Sequence, residues 1–119
     1  MGIKFIIKVS FSTCMNTLFV CNQNKHRSKT AELLFHDRFN VKSAGLYGGK
    51  LVTKKELEWA DIVFVMEEEQ RHELSKRFPT EYQRKRILNL DIPDIYTFNQ
   101  PSLAKLLQRK VKEYDELLA

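Results

Sequence analysis

Thr17-Leu18-Phe19-Val20-Cys21-Asn22-Gln23-Asn24-Lys25-His26-Arg27-Ser28 is the stretch on which the reading of this chain turns. Its apolar start, taken with Asn16, reads as a short buried strand running to Cys21. From Ser28 onward, Ala31, Leu34, Phe35 and Phe39 recur at three-and-four spacing, which predicts a helix over 28–39. The loop between strand and helix is short, so it must curl, and its backbone N–H groups can point inward at one anion. The helix adds its unpaired first N–H groups and the positive end of its dipole. That field favours a cysteine thiolate, the nucleophilic form, at Cys21. Arg27 supplies a planar fork that matches two phosphate oxygens. An arginine in a first helical turn opposes the dipole, and a bound anion would resolve that misfit. Ser28 is placed either to cap the helix or to donate its hydroxyl to the thiolate.

The spacing alone is weak. Two cysteines and seven arginines in 119 residues produce a Cys-x5-Arg pair by chance about one time in eight. A lone cysteine is also commonly a small buried apolar residue. The strand–loop–helix context is what raises Cys21 above that reading.

Working outward, the chain alternates strands and helices. Val41 to Ser43 reads as a short strand ended by Gly45, and Tyr47-Gly48-Gly49-Lys50 as a loop. Thr53 and Glu56 have capping-box spacing, which starts a short helix reaching about Trp59. Ile62-Val63-Phe64-Val65-Met66 is a continuous apolar run suited to a central strand. Glu67 to Phe78 is expected to be helical and to end at Pro79. Ile87-Leu88-Asn89-Leu90 reads as a strand, and 91–96, interrupted by Pro93, as a loop. Pro101 opens a last helix whose stripe is Leu103, Leu106, Leu107, Val111, Tyr114 and Leu118. The alternation predicts an α/β three-layer sandwich around a four-stranded, mostly parallel sheet. In such sheets ligands bind beyond the C-terminal strand ends at a switch point. Cys21 and Asp94 both follow predicted strands, so they are expected on one edge.

The bulk numbers are those of an ordinary globular chain, with 43% hydrophobic and 29% charged residues and a net charge of +5. The charge suits anionic ligands without selecting one. Two cysteines are too few for a secreted disulfide scaffold of this size, so a reducing cytoplasmic setting is expected. No run is long and apolar enough to span a membrane, and no membrane partner is expected. The domain is placed at residues 16–119, with 1–15 an N-terminal extension or an extra strand. Ile3, Phe5, Ile7, Val9 and Phe11 alternate as a strand would. The preferred alternative takes Met15 as the start and 1–14 as an extension.

Several segments together carry a family resemblance. Leu18 to Ser28 resembles the signature loop of low-molecular-weight protein tyrosine phosphatases. Ser43-Ala44-Gly45 is similar to that family's second-strand motif, and Ala60 to Met66 to a later strand. Asp91-Ile92-Pro93-Asp94-Ile95-Tyr96 resembles its general-acid loop. The resemblance implies a phosphotyrosine phosphatase I-like fold and a two-step phosphoryl transfer with no metal and no cofactor. It implies Cys21 as nucleophile, Arg27 as phosphate clamp and Asp94 as general acid. Asn22, Gln23, Asn24, Lys25, His26 and Ser28 would form the phosphate-binding loop, Ser43 would support it, and Tyr96 would stack on an aryl substrate. The implied partners are a phosphorylated substrate such as a phosphotyrosine protein, and inorganic phosphate. Asp91 is the rival acid, and Tyr96 two residues after Asp94 favours Asp94.

Departures from the family pattern are specific. Gln23 stands where the family usually has glycine, which predicts strain if that position takes a positive φ. His26 stands where a second cysteine is common, which removes the usual protective disulfide. Ile95 replaces the proline after the acid, and the segment between Gly45 and Ala60 is short. His36 and His72 lack partners at metal-ligand spacing. Arg71, Lys76, Arg77, Arg84, Lys85 and Arg86 form a basic cluster that reads first as a solvated face. The alternative functions are a non-catalytic oxyanion- or nucleic-acid-binding module, with nucleic acid the weaker partner, and arsenate reduction. The last is disfavoured because only Cys14 remains as a resolving thiol.

Overall fold

The computed structural model describes residues 15–118, so the strand or extension expected before Met15 lies outside the described residues. Four strands form one sheet: β1 (Asn16–Cys21), β2 (Asn40–Gly45), β3 (Ile62–Val65) and β4 (Arg86–Asn89). Their spatial order is β2-β1-β3-β4, and every pairing is parallel. The helices are α1 (Arg27–Phe35), α2 (Lys54–Trp59), α3 (Glu68–Arg77), α4 (Pro79–Arg84) and α5 (Pro101–Leu118).

Alternation along the central strands sorts the core into two layers. Phe19, Cys21, Ile62 and Phe64 face one side, where Ala31 and Phe35 of α1 and Leu103, Leu107 and Val111 of α5 cover them. Leu18, Val20, Val63 and Val65 face the other, against Leu57 of α2 and Leu74 of α3. Phe19 joins the first layer together, stacking on Phe35 at 5.7 Å and on Phe64 at 5.3 Å between ring centroids. Such ring pairs add to the area term of burial. The chain leaves β1 for one neighbour, β2, and later returns to the other, β3. The C-terminal end of β1 is therefore the switch point of the sheet.

Three boundaries differ from the sequence reading, each for a local reason. The first helix stops at Phe35, not Phe39. A turn follows, with Arg38 N donating to Phe35 O, and it delivers Asn40 into β2 while Phe39 stays buried. β2 runs through Gly45, because Gly45 pairs with Cys21. Pro79 does end α3, but it also opens α4, a helix the sequence reading lacked. A proline lacks only an N–H that is unused at a first helical position. The Thr53–Glu56 capping box and the Pro101 helix start are as expected. Among the described residues no helix is long and apolar enough to cross a membrane.

Candidate active site

Cys21 is the last residue of β1 and is buried, its pairing with Gly45 holding its backbone in the sheet. The turn after β2 continues that support beyond the strand end. Leu46 N donates to Cys21 O at 2.9 Å and Tyr47 N to Asn22 O at 2.8 Å. Gly49 sits at φ +65, and a Cβ there would lie 2.5 Å from Gln23 O. Only glycine lets the turn take this conformation and approach the loop so closely. The short segment after Gly45 thus buttresses the loop.

The strain expected at Gln23 is absent, because the positive φ falls one residue later, at Asn24 with φ 52. Asparagine tolerates the left-handed region better than most residues. Asn24 is 4% exposed, and its amide is fully used. Nδ2 donates to Ser28 Oγ at 2.8 Å and to Ser43 Oγ at 3.0 Å, while Oδ1 accepts from Lys50 N at 3.2 Å. Ser28 Oγ lies 3.1 Å from Cys21 Sγ. The helix that follows has no acidic residue in its first turn and no side-chain cap. Its N-terminal field is left uncompensated beside the thiol.

Among the described residues Arg27 is the largest fully buried side chain. Nη1 donates to Ile92 O at 2.8 Å and lies 3.3 Å from Glu67 Oε2, while Nε is 3.7 Å from Asp94 Oδ1. A buried guanidinium needs such partners. They anchor Nη1 and leave the Nε/Nη2 edge toward Asp94, the edge that matches two phosphate oxygens.

A cleft of about 420 Å³ opens here, lined by Cys21, Gln23, Lys25, His26, Arg27, Asp94, Ile95 and Tyr96. Seven of the residues named from sequence therefore meet at one cleft. Three others stand behind it: Asn24 and Ser28 point into the hydrogen-bonded wall, and Asn22 Oδ1 accepts from Gln70 Nε2 at 3.0 Å. His26 lines the cleft, and its buried Nδ1 has no partner among the described residues. Asp91 turns away. It sits at φ 57, takes Asn89 Oδ1 on its N–H and borders a separate hollow with Lys110, Glu113 and Tyr114. The carboxylate that faces Arg27 from this loop is Asp94.

Sequence reasoning did not single out Glu67 or Ile92 for the site, and it marked Ile95 only as a departure from the acid-loop pattern. Glu67 reads only as a helix start, and nothing local ties it to an arginine forty residues earlier. The basic cluster is largely consumed inside the molecule. Arg71 pairs with Glu68, Arg77 with Glu73 and Leu46 O, and Lys85 Nζ donates to the carbonyls of Glu58 and Ala60.

No protein-family model matches the chain, and no curated protein does. Solved structures do match. YwlE arginine phosphatase from Geobacillus stearothermophilus superposes with a TM-score of 0.69 at 22% identity, over 87% of this chain and 92% of that one. The tyrosine phosphatase Wzb from Escherichia coli K30, in complex with phosphate, gives 0.67 at 19% identity, over 89% and 99%. A low-molecular-weight protein tyrosine phosphatase from T. tengcongensis gives 0.67 at 21% identity, over 87% and 97%. The chain has the low-molecular-weight protein tyrosine phosphatase fold. Within that fold the all-parallel sheet puts the Cys21 loop, the β3 end carrying Glu67 and the β4 end leading to Asp94 on one edge. These are the three strand ends from which the cleft is built. The compact 45–50 turn serves as the wall beside the loop.

Proposed function

We propose that this chain is a cysteine-dependent phosphatase that hydrolyses an aryl phosphate monoester of the phosphotyrosine kind. The observation that carries the reading is the convergence of Cys21, Arg27 and Asp94 on one cleft over the uncompensated N-terminus of α1. The phosphate and sulphate complexes of Wzb, which shares the fold, support an oxyanion site. Tyr96 and Ile95 offer apolar surface at the cleft, which suits an aryl group.

In the first step the Cys21 thiolate attacks phosphorus as the bond to the aryl oxygen breaks. Asp94, protonated, gives its proton to that leaving oxygen. Arg27 and the loop N–H groups hold the equatorial oxygens, where preorganised donors contribute most. In the second step Asp94, now a carboxylate, takes a proton from water. The water oxygen attacks the phosphocysteine, the S–P bond breaks, and phosphate and the thiolate are released. The free thiol nucleophile suits a reducing, cytoplasmic compartment, and a phosphotyrosine protein is the partner class this site would serve.

The test is hydrolysis of an aryl phosphate by the purified chain. Turnover abolished by Cys21→Ser and blocked by vanadate is the expected result. Phosphate binding with no turnover in the wild type would instead mark a non-catalytic oxyanion module.

A further inference from the structure

The paired glycines of the 45–50 turn both meet the loop at Gln23. Gly49 leaves room for its backbone carbonyl, and Gly48 leaves room for its side chain. A Cβ at Gly48 would lie 2.0 Å from Gln23 Oε1 and 3.1 Å from Gln23 Cδ, where ordinary contact begins near 3.4 Å. The next nearest atom, Gln23 Cα, is already at 3.7 Å. Only the amide end of Gln23 therefore fills the place of that missing Cβ. Gly48 does not take a positive φ, so what it supplies here is space and not conformation.

The same residue lines the cleft. Its side chain thus stands between the turn on one side and the ligand space on the other, and of these two neighbours only Gln23 can yield. The turn is pinned to the loop and to itself: Leu46 N and Tyr47 N donate to Cys21 O and Asn22 O, Gly45 N donates to Lys50 O, and Lys50 N donates to Asn24 Oδ1. From behind, Arg77 of α3 donates to Leu46 O at 2.7 Å and sets its guanidinium 5.0 Å from the Tyr47 ring centroid. Gln23 is exposed, and among the described residues no hydrogen bond ends on its side-chain amide. Nothing but its own rotamer holds it in place. A methyl group at position 48 would push the amide off the turn and over the cleft.

We infer that Gln23 is a specificity-determining residue: its side chain is the movable wall of the cleft, and the bare Gly48 sets how far back that wall stands. The wall held back admits an aryl phosphate whose ring carries a further substituent, as phosphotyrosine within a peptide does. Pushed forward, it would admit only a small ring, because a pocket wall discriminates by the volume it leaves. Substrate choice by this wall rests on the proposed function, whereas the width of the cleft is readable on Cys21 without any substrate.

The experiment alkylates Cys21 with iodoacetamide and with its bulkier N-biphenyl analogue, using mass spectrometry of the Cys21 peptide to separate it from Cys14. The ratio of bulky to small rates reports the width of the cleft, since the reactivity of the thiol cancels. Gly48→Ala is expected to lower that ratio about tenfold, the size of step that one methylene produces in a fitted pocket. Gln23→Ala is expected to raise it, and decides the matter alone if the alanine at 48 prevents folding. In the double variant the ratio should match that of Gln23→Ala, because the amide that the new methyl displaces is gone. The inference is overturned if neither single variant changes the ratio, if Gly48→Ala slows both reagents equally, or if its loss persists in the double variant. Turnover should follow the same order: kcat/KM for a phosphotyrosine peptide relative to phenyl phosphate falls in Gly48→Ala and recovers in the double variant. A wild type without turnover sinks the phosphatase reading and leaves the alkylation ratio to decide this one.

Discussion

Replacing Asn24 probes whether the loop is held by its side chain or by its backbone. Three hydrogen bonds end on that buried amide. At about 1 kcal/mol each, Asn24→Ala loses about 3 kcal/mol. The backbone at φ 52 costs an alanine about 1 kcal/mol more, for a total of about 4 kcal/mol. That is a large share of the roughly 5–15 kcal/mol by which a domain is stable. Asn24→Gly loses the same bonds without the φ strain. Glycine's extra freedom in the unfolded chain takes back about 0.5 kcal/mol of this advantage. The glycine variant should therefore be the more stable of the two by about 0.5 kcal/mol, the reverse of the usual order of glycine and alanine inside regular structure. Urea denaturation with a common slope measures both. The reasoning is refuted if alanine equals or exceeds glycine, or if either variant lies within about 1 kcal/mol of wild type.

Other expectations follow from the same contacts. Asp94→Asn should lower aryl-phosphate kcat by about 10²- to 10⁴-fold and remove its dependence on a protonated acid, while Asp91→Asn should stay within a few fold; a rate collapse confined to Asp91→Asn would reverse the assignment. Glu67→Gln removes the carboxylate 3.3 Å from Arg27 Nη1 but leaves the Ile92 carbonyl in place. With Glu67 partly open to solvent, the cost should be about 1–2 kcal/mol in denaturation, and no change would mean that the Ile92 carbonyl alone satisfies Nη1 of Arg27. On the surface of α3, the hydrogen bond from Arg77 holds the Glu73 carboxyl below its usual range. A depressed folded value stabilises above the unfolded value and is lost as pH falls through the folded one. Glu73→Gln should thus be slightly less stable than wild type at neutral pH and equal to it in strong acid, as read by thermal melts across pH.

Much of the architecture was legible because it rests on local periodicity. The alternation of Phe19 and Cys21 with Leu18 and Val20, the unbroken run Ile62 to Val65, and the stripe of α5 each need only a strand or helix period and burial to specify them. The Thr53–Glu56 box and Pro101 are likewise chemistry within one turn. Pro79 shows where a local rule divides: the same residue stops one helix and starts another, and packing against α3 decides that the second one forms.

At the site, contiguity alone brings a cysteine, a curled loop and an arginine to a helix N-terminus. Tertiary structure decided everything that crosses between strands. It turned the Asp94 carboxylate toward Arg27 and placed Asp91 at a separate hollow beside α5. It set the positive φ at Asn24, with the Gly45–Lys50 turn packed closely against the loop. It also brought Glu67 and Ile92 to Arg27, and Glu32 to Ser43. Hydrogen-bond direction and charge pairing depend on atoms a few ångströms apart in space, and sequence spacing alone does not encode that distance once the partners lie on different elements.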